Sequence, residues 1–192
     1  MLRYIASGLG ALIAASFLAF QAPESVPAAQ TPGRAAPVAI PKIAPRPEDV
    51  STIDGMVRAY FEVVSGPAGK DREWGRDATL YVPGMRFLIF REGQSGNTAV
   101  RALTHQEFVD ESETERAGGA FYEREIHRIA HRAGNVAHVL STAEQRDSPD
   151  GPAVGRSVDS IEMYWDGSRW WITNANIWEE SKAHPLPKEF LP

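Results

Sequence analysis

Residues 157–178 read SVDSIEMYWDGSRWWITNANIW. Asp166-Gly167 is a turn signal with aromatic and β-branched residues on both sides, so the stretch folds back on itself as a hairpin. A turn over Asp166–Arg169 pairs Trp165 with Trp170, Met163 with Ile172 and Ile161 with Asn174. It also pairs Asp159 with Asn176 and Ser157 with Trp178. Side chains alternate along a strand, so this set shares one face. The face begins apolar at Trp165, Met163, Ile161, Trp170 and Ile172. It turns polar at Asp159, Asn174, Asn176 and Trp178. An apolar floor with a few converging polar groups suits a small-molecule pocket. Asp159 is the acid on that face and the best candidate for a functional carboxylate. The same residues also fit a scaffold role, in which Arg156, Asn174 and Asn176 satisfy a buried acid.

Working back from the hairpin, Val136–Gln145 reads as another strand, and Gly134-Asn135 turns the chain into it. Residues 120–133 (AFYEREIHRIAHRA) lean towards helix locally, because Tyr122, Ile126, Ile129, Ala130 and Ala133 make a helical face. A meander needs a strand there, and the whole-chain pattern is given precedence. On that strand Glu123, Arg124, Glu125 and Arg128 are expected to form cross-strand ion pairs on a solvated or dimer-facing sheet. His127 and His131 then lie roughly 13 Å apart, too far for one metal ion. No metal site is expected, and His105 and His184 are read as exposed.

The N-terminal half carries the helices. Ile53, Met56, Val57, Tyr60, Phe61 and Val64 recur at helical spacing, which predicts one amphipathic helix over 48–66. A short helical turn follows at Asp71–Gly75 with Trp74, then a strand at Thr79–Val82 stopped by Pro83-Gly84, and a strand at Arg86–Arg91. Thr104-His105-Gln106-Glu107 is a capping box, so a short helix begins there and ends before Gly118-Gly119.

Ahead of this body, Arg3 precedes a sixteen-residue apolar run, Ile5–Phe20. A bilayer core needs about 20 residues, so 1–21 reads as a signal peptide or an N-terminal anchor. Residues 22–47 hold seven Ala, seven Pro and no aromatic residue, and are expected to be a disordered linker to a domain at 48–192. The expected location is periplasmic or secreted, with membrane contact only through an uncleaved anchor.

Zero cysteines exclude disulfides and thiol chemistry. Residues 1–47 carry a charge of +3 and residues 48–192 one of −8. An acidic body without a basic stripe argues against nucleic acid as a partner. There is no P-loop, dinucleotide glycine motif or nucleophile elbow, so no cofactor is expected.

Three stretches carry a resemblance. They are Met56-Val57-Arg58-Ala59-Tyr60-Phe61, the run Arg76-Asp77-Ala78-Thr79-Leu80-Tyr81-Val82-Pro83-Gly84, and Trp165-Asp166-Gly167-Ser168-Arg169-Trp170-Trp171-Ile172. In this order and spacing they resemble the nuclear transport factor 2-like group, which includes SnoaL-like cyclases, ketosteroid isomerase and scytalone dehydratase. The resemblance spans residues 48–180. Segments 134–144, 155–163 and 178–191 are similar to a secreted bacterial branch of that group. It implies an α+β fold, a cone-shaped, curved, mixed or antiparallel sheet wrapped around N-terminal helices. It also places the isomerase's oxyanion-donating tyrosine on Tyr60 and its general base on Val82. Valine takes no proton, so that reaction is not implied, and Tyr60 also fits a plain core role.

The resulting expectation is an exported cone that binds a small, partly apolar molecule through Tyr60, Trp74, Tyr81, Asp159, Asn174, Asn176 and Trp178. The alternatives are an acid–base isomerase, dehydratase or cyclase using Asp159 with Tyr60 or Tyr81, and a dimerising module with a filled cone. Trp171, Tyr164 and Ile177 are read as an aromatic outer sheet face, through which a homodimer is expected.

Overall fold

A computed structural model describes residues 36–93 and 95–192. The expected signal peptide or anchor at 1–21, and the linker as far as residue 35, lie outside the described residues. The rest of that linker is not a free tether. The Val38 amide donates to Asp110 Oδ1 at 2.8 Å, and Gln106 Nε2 donates to the Val38 carbonyl at 2.9 Å. Val38 and Ile40 pack on the core. A Cβ at Gly75 would stand 2.7 Å from the Pro41 carbonyl oxygen, so a glycine there lets this strap lie flat. The absence of aromatics hid the docking, which rests on two aliphatic side chains and two backbone groups.

The predicted long first helix is divided into α1 (Pro47–Val50) and α2 (Ile53–Glu62). Thr52 is extended and its hydroxyl accepts from the Gly55 amide at 2.9 Å, an N-cap that restarts the helix. One face of α2 buries Met56, Val57, Tyr60 and Phe61. Then come α3 (Trp74–Ala78), β1 (Arg86–Glu92), β2 (Thr98–Thr104) and α4 (His105–Arg116). Thr79–Val82 is not a strand. Tyr81 makes one isolated parallel bridge to Ile172, and Pro83-Gly84 prevents its extension. The capping box on α4 is complete in both directions, with Ala117 left-handed at the helix end.

β3 (Tyr122–Ala133), β4 (Val136–Arg146), β5 (Gly155–Trp165) and β6 (Trp170–Glu179) complete the fold. Residues 122–133 are therefore a strand, local helix preference having yielded to pairing along β4. The sheet order is β2-β1-β6-β5-β4-β3, with β1 parallel to β6 and every other pair antiparallel. Its inner face packs Phe87, Val139, Ile161, Met163 and Ile172 against α2, all essentially buried. A bidentate pair from Arg76 to Asp49, with both bonds at 2.7 Å, ties α3 to α1 inside the molecule. Glu62 and Glu73 complete the ring of acids around that guanidinium.

The closing hairpin begins in the predicted register and then leaves it. Gly167 has φ +102°, which Asp-Gly turns exploit, and Trp165–Trp170 and Met163–Ile172 pair as expected. Beyond them Glu162 faces Asn174, so Thr173 is an extra residue on β6. Such a bulge sends every later side chain to the opposite face. Asp159 is then opposite Ile177, Ser157 opposite Glu179, and Val158 opposite Trp178.

After β6 the C-terminal segment crosses the outer sheet face. Thr142 Oγ1 donates to the Phe190 carbonyl at 2.7 Å, His184 meets Trp178 edge-on, and Leu186 is buried.

Candidate functional site

Between α2, α4 and the inner sheet face lies a cavity of about 360 Å³. Asp159 sits in its wall near the middle of β5, with 2% of its surface exposed. Its side chain points inward because Ile161 and Met163, two and four residues on, face the core. Tyr60 Oη donates to Asp159 Oδ2 at 2.9 Å, and Ser157 Oγ donates to Oδ1 at 2.9 Å. Arg156 is not its partner. That guanidinium holds Glu180 at 2.7 and 3.1 Å on the other face of the strand.

Tyr81 also lines the cavity, and its hydroxyl donates to the fully buried Asp77 at 2.8 Å. The second Asp77 oxygen lies 2.7 Å from His105 Nε2, so His105 is half-buried rather than exposed as predicted. Tyr60, Tyr81 and Asp159 are thus brought together.

The other four candidates are not. Asn174, Asn176 and Trp178 point to the outer face because of the bulge at Thr173, and Ile177 and Glu179 take their places in the cavity. Trp74 is buried beneath α4, its Nε1 donating to Glu113 Oε1 at 2.7 Å and its ring against Phe108. The same register change removes Ile177 from the predicted outer aromatic face.

Glu123 is the principal residue that sequence reasoning misplaced. It lies on the inner face of β3 and lines the cavity, receiving Gln145 Nε2 at 3.4 Å. A bulge between Glu125 and His127 turns Arg128 to the inner face with Glu123 and Glu125, and Arg124 alone of the four faces outward, where it makes an expected cross-strand pair. Arg124 reaches Glu144 outside, while Arg128 binds Glu125 and Asp54. The alternation Glu123, Glu125 was the available signal, since both share a face with β4 residues that pack inward. Arg116 lies over the Phe121 ring at 3.9 Å and donates to the Val64 carbonyl, while Arg91 lies 2.8 Å from Glu179.

The electrostatics follow from burial. Desolvation, helped by the Glu123 carboxylate, pushes the Asp159 carboxyl up to about 8, against the pull of the Ser157 and Tyr60 hydroxyls. Burial likewise raises Glu123, with Arg116 opposing. Tyr60 and Tyr81 are raised well above the usual phenol range, by burial first and then by the charges of Asp159 and Asp77. Near neutral pH the pair is therefore a neutral phenol on a carboxyl that holds its proton. Such an acid donates or releases a proton at little cost.

No sequence-family profile and no curated protein matches the chain. Solved structures do. The β subunit assigned to an aromatic-ring-hydroxylating dioxygenase of Novosphingobium aromaticivorans is 12% identical, with a TM-score of 0.52 over 68% of this chain and 88% of that one. A Mycobacterium tuberculosis protein of unknown function is 11% identical, with a TM-score of 0.50 over 69% and 73%. A nuclear transport factor 2-like protein of Silicibacter pomeroyi is 13% identical, with a TM-score of 0.45 over 68% and 94%. The α+β architecture, one curved six-stranded sheet with its helices on the inner face, is shared with the first two of these. At these identities the likeness concerns architecture alone, and the cone's function rests on its own side chains.

Proposed function

We propose that this cone binds a small, partly apolar molecule in its cavity, with Asp159 and Tyr60 as the polar end. The observation that supports it is an open cavity of about 360 Å³ whose wall contains an almost fully buried carboxyl held only by hydroxyl donors. The cavity argues against a filled cone, since Trp170 and Met163 lie in the core beside it and Trp178 lies outside. The basic start at Arg3 and the apolar run Ile5–Phe20 support an exported, periplasmic or secreted protein.

Ligand-observed NMR with a fragment library, run on the wild type and on Asp159→Asn, tests this reading. Fragments that bind the wild type and lose contact in the variant are the expected result. A wild type that binds none at millimolar concentration overturns it.

A second reading is acid–base catalysis. It is favoured by one feature, the placing of two carboxyls, Asp159 and Glu123, in one cavity with both raised by burial. A bell-shaped rate profile with limbs abolished separately by Asp159→Asn and Glu123→Gln would distinguish an enzyme from a binder.

A further inference from the structure

The hydrogen-bond inventory of the cavity narrows the class of ligand, and this step rests on the cavity being the binding site. Tyr60 and Tyr81 each have one hydroxyl proton, and each gives it to an acid, Asp159 at 2.9 Å and Asp77 at 2.8 Å. As the side chains stand, both hydroxyls meet a ligand as acceptors. Asp159, Glu123 and Glu179 add carboxyl oxygens to the same lining. The two guanidinia of the lining already have partners, those of Arg91 being two acids of the same wall. Arg91 lies against Glu179 and Glu115, at 2.8 and 3.3 Å, and Arg116 covers the Phe121 ring while donating to the Val64 carbonyl. Among the described residues neither Asp159 nor Glu123 has an ion-pair partner within 4.0 Å. Glu111, Ser112, Glu115 and Gln145 add further polar groups, and Phe108, Ile89 and Ile177 belong to the apolar part of the wall.

We propose that the cavity selects a protonated amine on an apolar frame, its ammonium group seated beside Asp159 and Glu123 and its frame against Ile89, Phe108 and Ile177. An ammonium group carries three donors and one compact charge, which suits a wall of acceptors and aromatic rings. Carbonyl and carboxylate ligands lack these donors, and of the two carboxyls seated there a carbonyl takes only the single proton held on Asp159. Arrival of the cation favours the ionised form of Asp159, so its proton passes to solvent as the ammonium–carboxylate contact forms. Tyr60 on α2, Tyr81 after α3, Arg91 on β1, Glu111, Glu115 and Arg116 on α4, Glu123 on β3 and Glu179 on β6 are the charged or titratable groups that line the cavity with Asp159.

The test uses matched amine, alcohol and methyl-ketone sets on phenylethyl, cyclohexylethyl and hexyl frames. Binding to the folded chain is measured by NMR and by calorimetry at pH 7 in two buffers of different ionisation enthalpy. The amine of at least one set should bind tenfold or more tighter than its alcohol and ketone, with net proton release. Glu123→Gln should weaken the amine about tenfold and leave the alcohol unchanged. The ranking and the proton count need no variant, so they stand even if that substitution unfolds the chain. A ketone or alcohol that binds as tightly as the amine, or amine binding without proton release, overturns the amine assignment while the cavity remains a binding site. Failure of every frame at millimolar concentration removes both.

Discussion

Replacing Asp159 by Asn changes one charge and almost no volume, and the structure fixes the direction of the effect. The acid rises from an ordinary 3.8 to about 8 on folding. The folded state therefore holds a proton that the unfolded chain has lost anywhere between those pH values. Stability from this group is fully present below about pH 4 and is lost as pH rises towards 8, at about 1.4 kcal/mol per pH unit. Integrated over the window the loss is on the order of 5 kcal/mol, part of which reflects repulsion shared with Glu123. Asparagine has no such window. Its amide oxygen accepts from Tyr60 and its NH₂ donates to Ser157 Oγ, so the hydrogen bonds survive at a cost below about 1 kcal/mol. Urea unfolding at pH 5, 6, 7 and 8 should show Asp159→Asn matching the wild type at pH 5 or below. At pH 8 it should exceed the wild type by about 2–4 kcal/mol, with a flatter slope between. A variant several kcal/mol less stable at pH 7, with the wild-type slope retained, would show a charged and compensated Asp159 and refute the argument.

Tyr60→Phe removes a donor that favours the ionised acid, so it should cost about 1 kcal/mol above pH 8 and less at pH 6, read from urea midpoints at both; equal midpoints would deny the hydroxyl that role. Asp49→Asn leaves the buried Arg76 guanidinium with only Glu62 and Glu73, and a loss of about 3 kcal/mol near pH 7 is expected by calorimetry. The Asp49 carboxyl is held below its ordinary value, against its own burial, by the hydrogen bond and charge of Arg76. Its contribution should therefore fade as pH drops through the acid range, and the variant gap should close there. A chain starting at residue 48 should be about 2 kcal/mol less stable than one starting at 36, because Val38 and Ile40 lose their seats; equal melting temperatures would mean the strap contributes nothing. The homodimer is expected through Tyr164 and Trp171 on the outer sheet face, and a monomer mass by light scattering at micromolar concentration would exclude it.

How much of this was legible in the sequence depends on what each residue reports. The Asp166-Gly167 turn states its own geometry, and two of the pairs beyond it followed correctly. Thr173 states nothing, since a bulge without glycine or proline leaves the composition of a strand unchanged. One extra residue therefore misdirected Asn174, Asn176 and Trp178 together. Asp159, Tyr60 and Tyr81 were legible because they lie before that point or on other elements. β2 was missed for a different reason. It is an edge strand with only Leu103 buried, so it lacks the alternation that marks a half-buried strand. Glu123 was missed because a charged residue reads as solvated until the wall opposite it is known. The helix-like 122–133 was resolved by counting the neighbours it needed, which no local window contains.

The bulge at Thr173 has a consequence for how such a cone changes over generations. Pairing Thr173 into a regular ladder, with every residue kept, would restore strict alternation and slide the rest of β6 by one position. The cavity wall would then exchange Ile177 and Glu179 for Asn176 and Trp178, with the fold and the turn unaltered. Ordinary substitution would need separate events to achieve the same exchange, each passing through a mixed wall. A single slip of pairing does it at once, trading an aliphatic side chain and a carboxylate for an amide and an indole. A scaffold carrying such a site can be re-lined wholesale, so two cones with closely similar sequences can present unlike chambers.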